Sequence, residues 1–129
     1  MPVDRFLEEI VRWAEARPDL EAVALLGSYA QGRARAGSDI DLLLLTEDML
    51  PYLDDPRWVG AFGEVDRSQR EEWGAVTSLR VWYRDGREVE FGFAHPDWAR
   101  VPPDPGTSRA VASGLRVLID RTGQLSRRG

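Results

Sequence analysis

Asp39 and Asp41 stand one residue apart at the head of the apolar run Leu42 to Leu45. Such a run reads as a buried strand. Residues i and i+2 of a strand point to one face, so the two carboxylates would lie side by side near the core. Repulsion and desolvation both disfavour that pair. A bound cation resolves the conflict, and a hard divalent ion prefers oxygen ligands. Ten residues separate this pair from Gly27-Ser28, which closes an earlier apolar run, and the stretch between is rich in Gly, Ser and Arg. Gly27 permits a tight turn and a close backbone approach. Alone, Gly27-Ser28 is a turn with a helix cap, and Asp39-x-Asp41 is a pair of exposed strand-end acids. Their joint spacing points to an enzyme.

The elements that must position these residues follow from periodicity and breakers. Asp4 is expected to cap a first helix whose apolar face is Phe6, Leu7, Ile10, Val11 and Ala14, ending before Pro18. Leu20 to Leu26 is a strand, Ser28 to about Ala34 a short helix, and Asp39 to Leu45 the second strand. Thr46 is expected to cap a helix from Glu47 towards Leu53, and Asp55-Pro56 to start another through Phe62. Glu64 to Arg67 reads as a short strand and Ser68 to Gly74 as a polar loop. Val76 to Tyr83 and Glu88 to Ala94 form a hairpin. A three-residue turn, Arg84-Asp85-Gly86, places Leu79, Val81, Val89 and Phe91 on one face and Arg80, Trp82, Glu88 and Glu90 on the other. One clean apolar face fixes pairing, so this register is preferred. Pro96 to Arg100 is a helical turn, Ser108 to about Ser113 a short helix, and Leu115 to Asp120 a last strand. Residues 1–129 read as a single domain with its core over about 20–120 and a mobile tail from 121 to 129.

Composition narrows the function. The 129 residues carry 43% hydrophobic and 30% charged side chains, as expected of one ordinary globular domain. The net charge is -5, which disfavours nucleic acid as a partner. No apolar run approaches the ~20 residues of a membrane span, and acids stand where a signal peptide needs basic and apolar residues. A cytoplasmic location is expected. Cysteine is absent, so disulfide and thiolate chemistry are excluded. All 17 basic residues are arginine, so any cationic phosphate contact comes from arginine, which suits bidentate binding.

The pattern G-S-x10-D-x-D, with its aspartates opening a strand, resembles the signature of the polymerase-beta type nucleotidyltransferase superfamily. The resemblance covers roughly Leu20 to Phe93, and the Gly114 to Gly123 segment also resembles small antibiotic-modifying members. It implies an α/β (α+β) fold: one domain, a mixed β-sheet and helices mainly on one face. It implies that Gly27 and Ser28 approach the nucleotide phosphates and that Asp39 and Asp41 bind metal. The family's third carboxylate lies between apolar residues on a later strand, which Glu90 matches between Val89 and Phe91; a cross-strand salt bridge to Arg80 is the bland alternative for Glu90. Glu88 is the next candidate on that face. Arg33, Arg35 and Arg80 are candidate phosphate ligands.

The resemblance further implies two Mg2+ ions, ATP as substrate and transfer of AMP to a hydroxyl with release of pyrophosphate. The acceptor would be a small molecule, as in aminoglycoside- and lincosamide-modifying relatives, or a protein. Those relatives often carry an additional helical domain that shapes the acceptor site. In this chain a homodimer partner could supply that wall. Small stand-alone members also resemble antitoxins that pair with a HEPN-type toxin, and a nucleotide-binding domain without turnover is the remaining alternative. Trp82 shares the face of Arg80 and is a candidate for stacking on a base or sugar.

Overall fold

The computed structural model describes residues 3–27, 39–99 and 115–121. Helix α1 (Val3–Glu15) leads into β1 (Leu20–Leu26). After β2 (Ile40–Thr46) come the short helix α2 (Leu50–Asp54) and a 3-10 helix (Pro56–Phe62). The meander β3 (Val65–Trp73), β4 (Val76–Tyr83) and β5 (Glu88–Ala94) follows, then a 3-10 turn (Pro96–Ala99) and β6 (Leu115–Asp120).

The six strands form one sheet in the order β3-β4-β5-β2-β1-β6. All neighbours are antiparallel except β2 and β5, which are parallel and in register from Ile40 opposite Val89 to Leu45 opposite Ala94. The chain between these two strands contains α2, the 3-10 helix and the first two strands of the meander. That long connection is what allows a parallel pair. Strands β2 and β5 therefore begin at the same edge of the sheet.

Alternation along the strands defines two faces. On one, Val23, Leu25, Leu42, Leu44, Phe91 and Phe93 join Phe6, Leu7, Ile10 and Ala14 of α1, Tyr52 and Leu53 of α2, and Val59 and Phe62 of the 3-10 helix. The described helices that pack on the sheet lie on this side, as expected from sequence. An aromatic cluster fills the space between the layers. Trp58 stacks on Trp13 at 4.9 Å and meets Phe91 edge-on at 4.8 Å, while its indole N–H donates to the Tyr52 carbonyl at 2.8 Å. The opposite face holds a smaller buried set of Ala22, Ala24, Leu43, Leu45 and Ala94.

The β4–β5 hairpin has the expected register: Val81 lies opposite Val89 and Arg80 opposite Glu90. Gly86 takes φ +96 in the turn, and its N–H donates to the Tyr83 carbonyl at 3.0 Å. The stretch 68–74 departs from expectation, since β3 runs unbroken to Trp73 instead of giving way to a loop. As an edge strand with exposure along most of its length, it needs no apolar alternation and carries charge that blunts its free edge. Trp73 is 56% exposed there.

Other boundaries shift. Helix α1 starts at Val3, so Asp4 lies within its first turn and not ahead of it. Thr46 ends β2, where its hydroxyl accepts from the Asp48 N–H at 3.3 Å, and α2 begins later. Pro51 explains that start: it has no N–H to give and suits a first turn. Asp55 does cap the following helix by accepting from the Arg57 N–H, but the helix is of the 3-10 type. Arg121, grouped with the tail by sequence, is tied by its guanidinium to the carbonyls of Leu20 at 2.9 Å and Ala14 at 3.1 Å. The helices expected at Ser28 to Ala34 and Ser108 to Ser113, and the tail from 122, lie outside the described residues.

Candidate active site

The carboxylates gather on the sheet face that α1 does not cover. Alternation turns Ile40, Leu42 and Leu44 into the main core and Asp41, Leu43 and Leu45 the other way. On β5, Val89, Phe91 and Phe93 occupy the core and Glu88 and Glu90 take the opposite face. Because β2 and β5 are parallel and in register, Asp41 sits directly opposite Glu90. On its other side Asp41 faces Leu26, the last residue of β1.

Gly27 follows immediately. It takes φ +72, and a β-carbon there would lie 3.1 Å from the Asp41 Oδ2. A glycine is therefore demanded twice, by the left-handed backbone and by the nearby carboxylate. The end of β1 passes close to Asp41 with bare backbone. Ser28, Arg33 and Arg35 lie outside the described residues.

Asp39 stands just before β2 and is more exposed than Asp41. Burial, the charge of Glu88 and a hydrogen bond with Glu88 raise its pKa, against the pull of Arg80. Asp41 responds more strongly. Desolvation, then the charge of Glu90, a hydrogen bond with Glu90 and the charge of Asp39 push its carboxyl up to about 7. Asp41 thus holds a proton near neutrality, because it is desolvated and faces a second carboxylate.

Arg80, expected as a phosphate ligand, has its guanidinium committed to carboxylates. Its Nε donates to Glu71 at 3.0 Å, Nη1 to Glu88 and to Asp39 at 3.5 Å, and Nη2 to Glu90 at 3.1 Å. Burial disfavours its charge, yet the hydrogen bonds to Glu88 and Glu71 and the charge of Glu90 raise its pKa above the ordinary value. Glu88 is held in turn by the Trp82 indole N–H at 2.8 Å. The Arg67 guanidinium lies 4.0 Å from the centre of the Trp82 ring. The Trp82 face offered to a base in the sequence reading is thus covered by arginine on one side.

Sequence reasoning missed Glu71. It lies on the part of β3 read as a loop, where polarity on both faces hid the strand. The signal available was the tight Gly74-Ala75 connection, in which Gly74 takes φ +64 and Trp73 pairs with Val76.

Donor chemistry fits a divalent cation. The groups are carboxylate oxygens, which suit a hard ion, and the raised pKa of Asp41 reflects its burial and then the charges of Glu90 and Asp39, which Arg80 only partly offsets. As the side chains stand, no three acids among the described residues converge into a closed ligand set. Asp39, Asp41 and Glu90 share one face and one end of the sheet, and Arg80 lies among them.

A mixed sheet with helices on one face and acids at the shared start of two parallel strands defines a nucleotidyltransferase fold. The family described as streptomycin adenylyltransferase matches residues 3–126, and the chain belongs to that family. Among solved structures it is similar to an aminoglycoside 6-adenyltransferase from Bacillus subtilis, with a TM-score of 0.56 and 16% identity. That likeness covers 74% of this chain and 35% of the other, so the chain spans about a third of the length of that relative. A comparison with curated proteins found no match.

Proposed function

We propose that the protein is a nucleotidyltransferase that transfers AMP from ATP to a hydroxyl of an acceptor, releasing pyrophosphate. The observation that supports this reading best is the in-register pairing of Asp41 with Glu90, one residue from Gly27, whose left-handed backbone skirts the Asp41 carboxylate.

Asp39, Asp41 and Glu90 would hold Mg2+, two ions on the family pattern. When bound, such ions neutralise phosphate charge and align the attacking and leaving oxygens. The chain's own residues do the rest. Gly27 leaves room for the triphosphate to approach the acids, with Ser28, Arg33 and Arg35 proposed as its further ligands. Glu90 or a neighbouring acid is proposed to accept the proton released by the acceptor hydroxyl. Attack by that oxygen on the α-phosphorus forms the new P–O bond as the bond to pyrophosphate breaks.

The acceptor is a hydroxyl-bearing molecule, and a second copy of the chain is proposed to close its side of the site. No described helix is long and apolar enough to cross a membrane, and a cytoplasmic setting supplies ATP and Mg2+. The decisive assay incubates the protein with ATP, Mg2+ and a panel of hydroxylated acceptors, including amino sugars and a HEPN-type toxin. Pyrophosphate release that depends on the acceptor and on Asp41 is expected. Binding of a toxin with no pyrophosphate release from ATP would replace this reading with that of a binding module.

A further inference from the structure

The face around Arg80 carries more charged groups than a ligand set of three acids needs. Five carboxylates gather there: Asp39, Asp41, Glu71, Glu88 and Glu90. The Arg80 side chain is only 18% exposed and contacts four of them. The contacts are unequal. Glu88 receives Nη1 in the shortest of these hydrogen bonds, and Glu71 receives Nε at 3.0 Å. Asp39, at 3.5 Å, is held loosely. Glu90 takes the remaining terminal nitrogen, Nη2, at 3.1 Å. Glu71 comes from β3, and Glu88 comes from β5, where it lies opposite Trp82. Glu90 lies between Arg80 on β4 and Asp41 on β2, Asp39 shares a hydrogen bond with Glu88, and the Trp82 indole N–H holds Glu88.

We propose that Arg80 is the internal counter-cation of this site: it neutralises Asp39 and Glu90 while the site is metal-free, and a divalent cation displaces it onto Glu71 and Glu88. The inference rests on the reading above that Asp39, Asp41 and Glu90 take a divalent cation. Glu71 and Glu88 are then not ligands. They are the acids that keep a buried guanidinium paired when the other two are withdrawn. Without them, arrival of the ion would strand a desolvated positive charge beside it, which is strongly unfavourable. Arg80 is thus a positioning residue that competes with the metal, and its displacement makes cation binding selective for charge high enough to outbid a guanidinium.

The test is a double-mutant cycle on Mn2+ affinity, measured by titration of the full chain without nucleotide. Arg80→Met is expected to tighten Mn2+ binding by roughly tenfold, because the competing cation is gone. Glu71→Gln in the wild-type background is expected to weaken it by about threefold, because Arg80 then clings to Asp39 and Glu90. In the Arg80→Met background the Glu71→Gln effect should largely vanish, since Glu71 acts through Arg80. Unchanged or weaker Mn2+ binding in Arg80→Met would overturn the proposal, as would a Glu71→Gln effect of full size in both backgrounds. If Arg80→Met does not fold, Glu71→Gln and Glu88→Gln decide alone: affinity equal to wild type in both sinks it. Wild-type protein that fails to bind Mn2+ at all removes the metal reading, and this inference with it. Wild-type binding that Arg80→Met leaves unmoved removes only the inference.

Discussion

Asp41 and Glu90 face each other across two parallel strands, each one step along the sheet from the other. They are 49 positions apart in sequence (90 minus 41), and no local motif joins them. The register alone makes them a pair, and the pair carries the protonation behaviour of the site.

That behaviour has a sign. The folded-state pKa of Asp41 is raised from 3.8 to about 7. The folded protein therefore binds this proton more tightly than the unfolded chain does. The stabilisation is fully present below pH 4 and is lost as pH rises through about 7. Metal-free protein should melt at a lower temperature at pH 8 than at pH 5.5, all else held equal. Asp41→Asn should remove most of that slope and raise the melting temperature at pH 8 by on the order of 5 °C. It should also abolish Mn2+ binding. Thermal scans across pH with and without metal check both halves.

Gly27→Ala tests the close passage of β1. The new β-carbon would lie 3.1 Å from Asp41 Oδ2 in a backbone with φ +72. A loss of about 1 kcal/mol in stability is expected. Proposed nucleotidyl transfer should fall by more than that loss explains, because the same atom intrudes on the carboxylate. Urea unfolding and pyrophosphate release, measured on one preparation, separate the two effects.

Gly92→Ala probes the floor of the same face, two residues beyond Glu90. A β-carbon there would meet Val76 Cγ1 at 3.0 Å and the Leu42 carbonyl at 3.2 Å. The carbonyl belongs to β2 and cannot move without disturbing the seam with β5. A destabilisation of roughly 1–3 kcal/mol is expected by overpacking, read as a lower urea midpoint.

Tyr83→Phe tests how the 3-10 helix is fastened to the sheet. The buried Tyr83 hydroxyl donates to the Val59 carbonyl at 2.8 Å. Removing it leaves that carbonyl without this donor and should lower stability by about 1–2 kcal/mol. Because the site lies on the other face, Mn2+ affinity should stay unchanged.

Much of this arrangement was legible from residue order. The acids of β2, the glycine that precedes them and the hairpin register all followed from period-two alternation and turn chemistry. Trp82 and Arg80 fell on the correct face for the same reason. What escaped was whatever depended on an element with no apolar signature. Strand β3 is exposed along its edge, so its residues alternate nothing, and Glu71 was read as loop. The commitment of Arg80 to four acids was equally hidden, since only the expected pairing with Glu90 follows from the hairpin. Thr46 had the right chemistry for a cap, but Pro51 decided where the helix could begin.

The seam between β2 and β5 also has a kinetic meaning. Strands β3, β4 and β5 are consecutive and pair with near neighbours, whereas β2 joins them only after a long connection has closed. Closure over such a distance is entropically disfavoured and comes late. The acids of the site are therefore brought together after the meander has formed, and Mn2+ binding should follow the refolding phase in which the meander pairs. A stopped-flow trace in which binding precedes that phase would contradict this. The chain would thus acquire a metal only once β2 has joined the meander, and a molecule short of that step would have no means of engaging ATP.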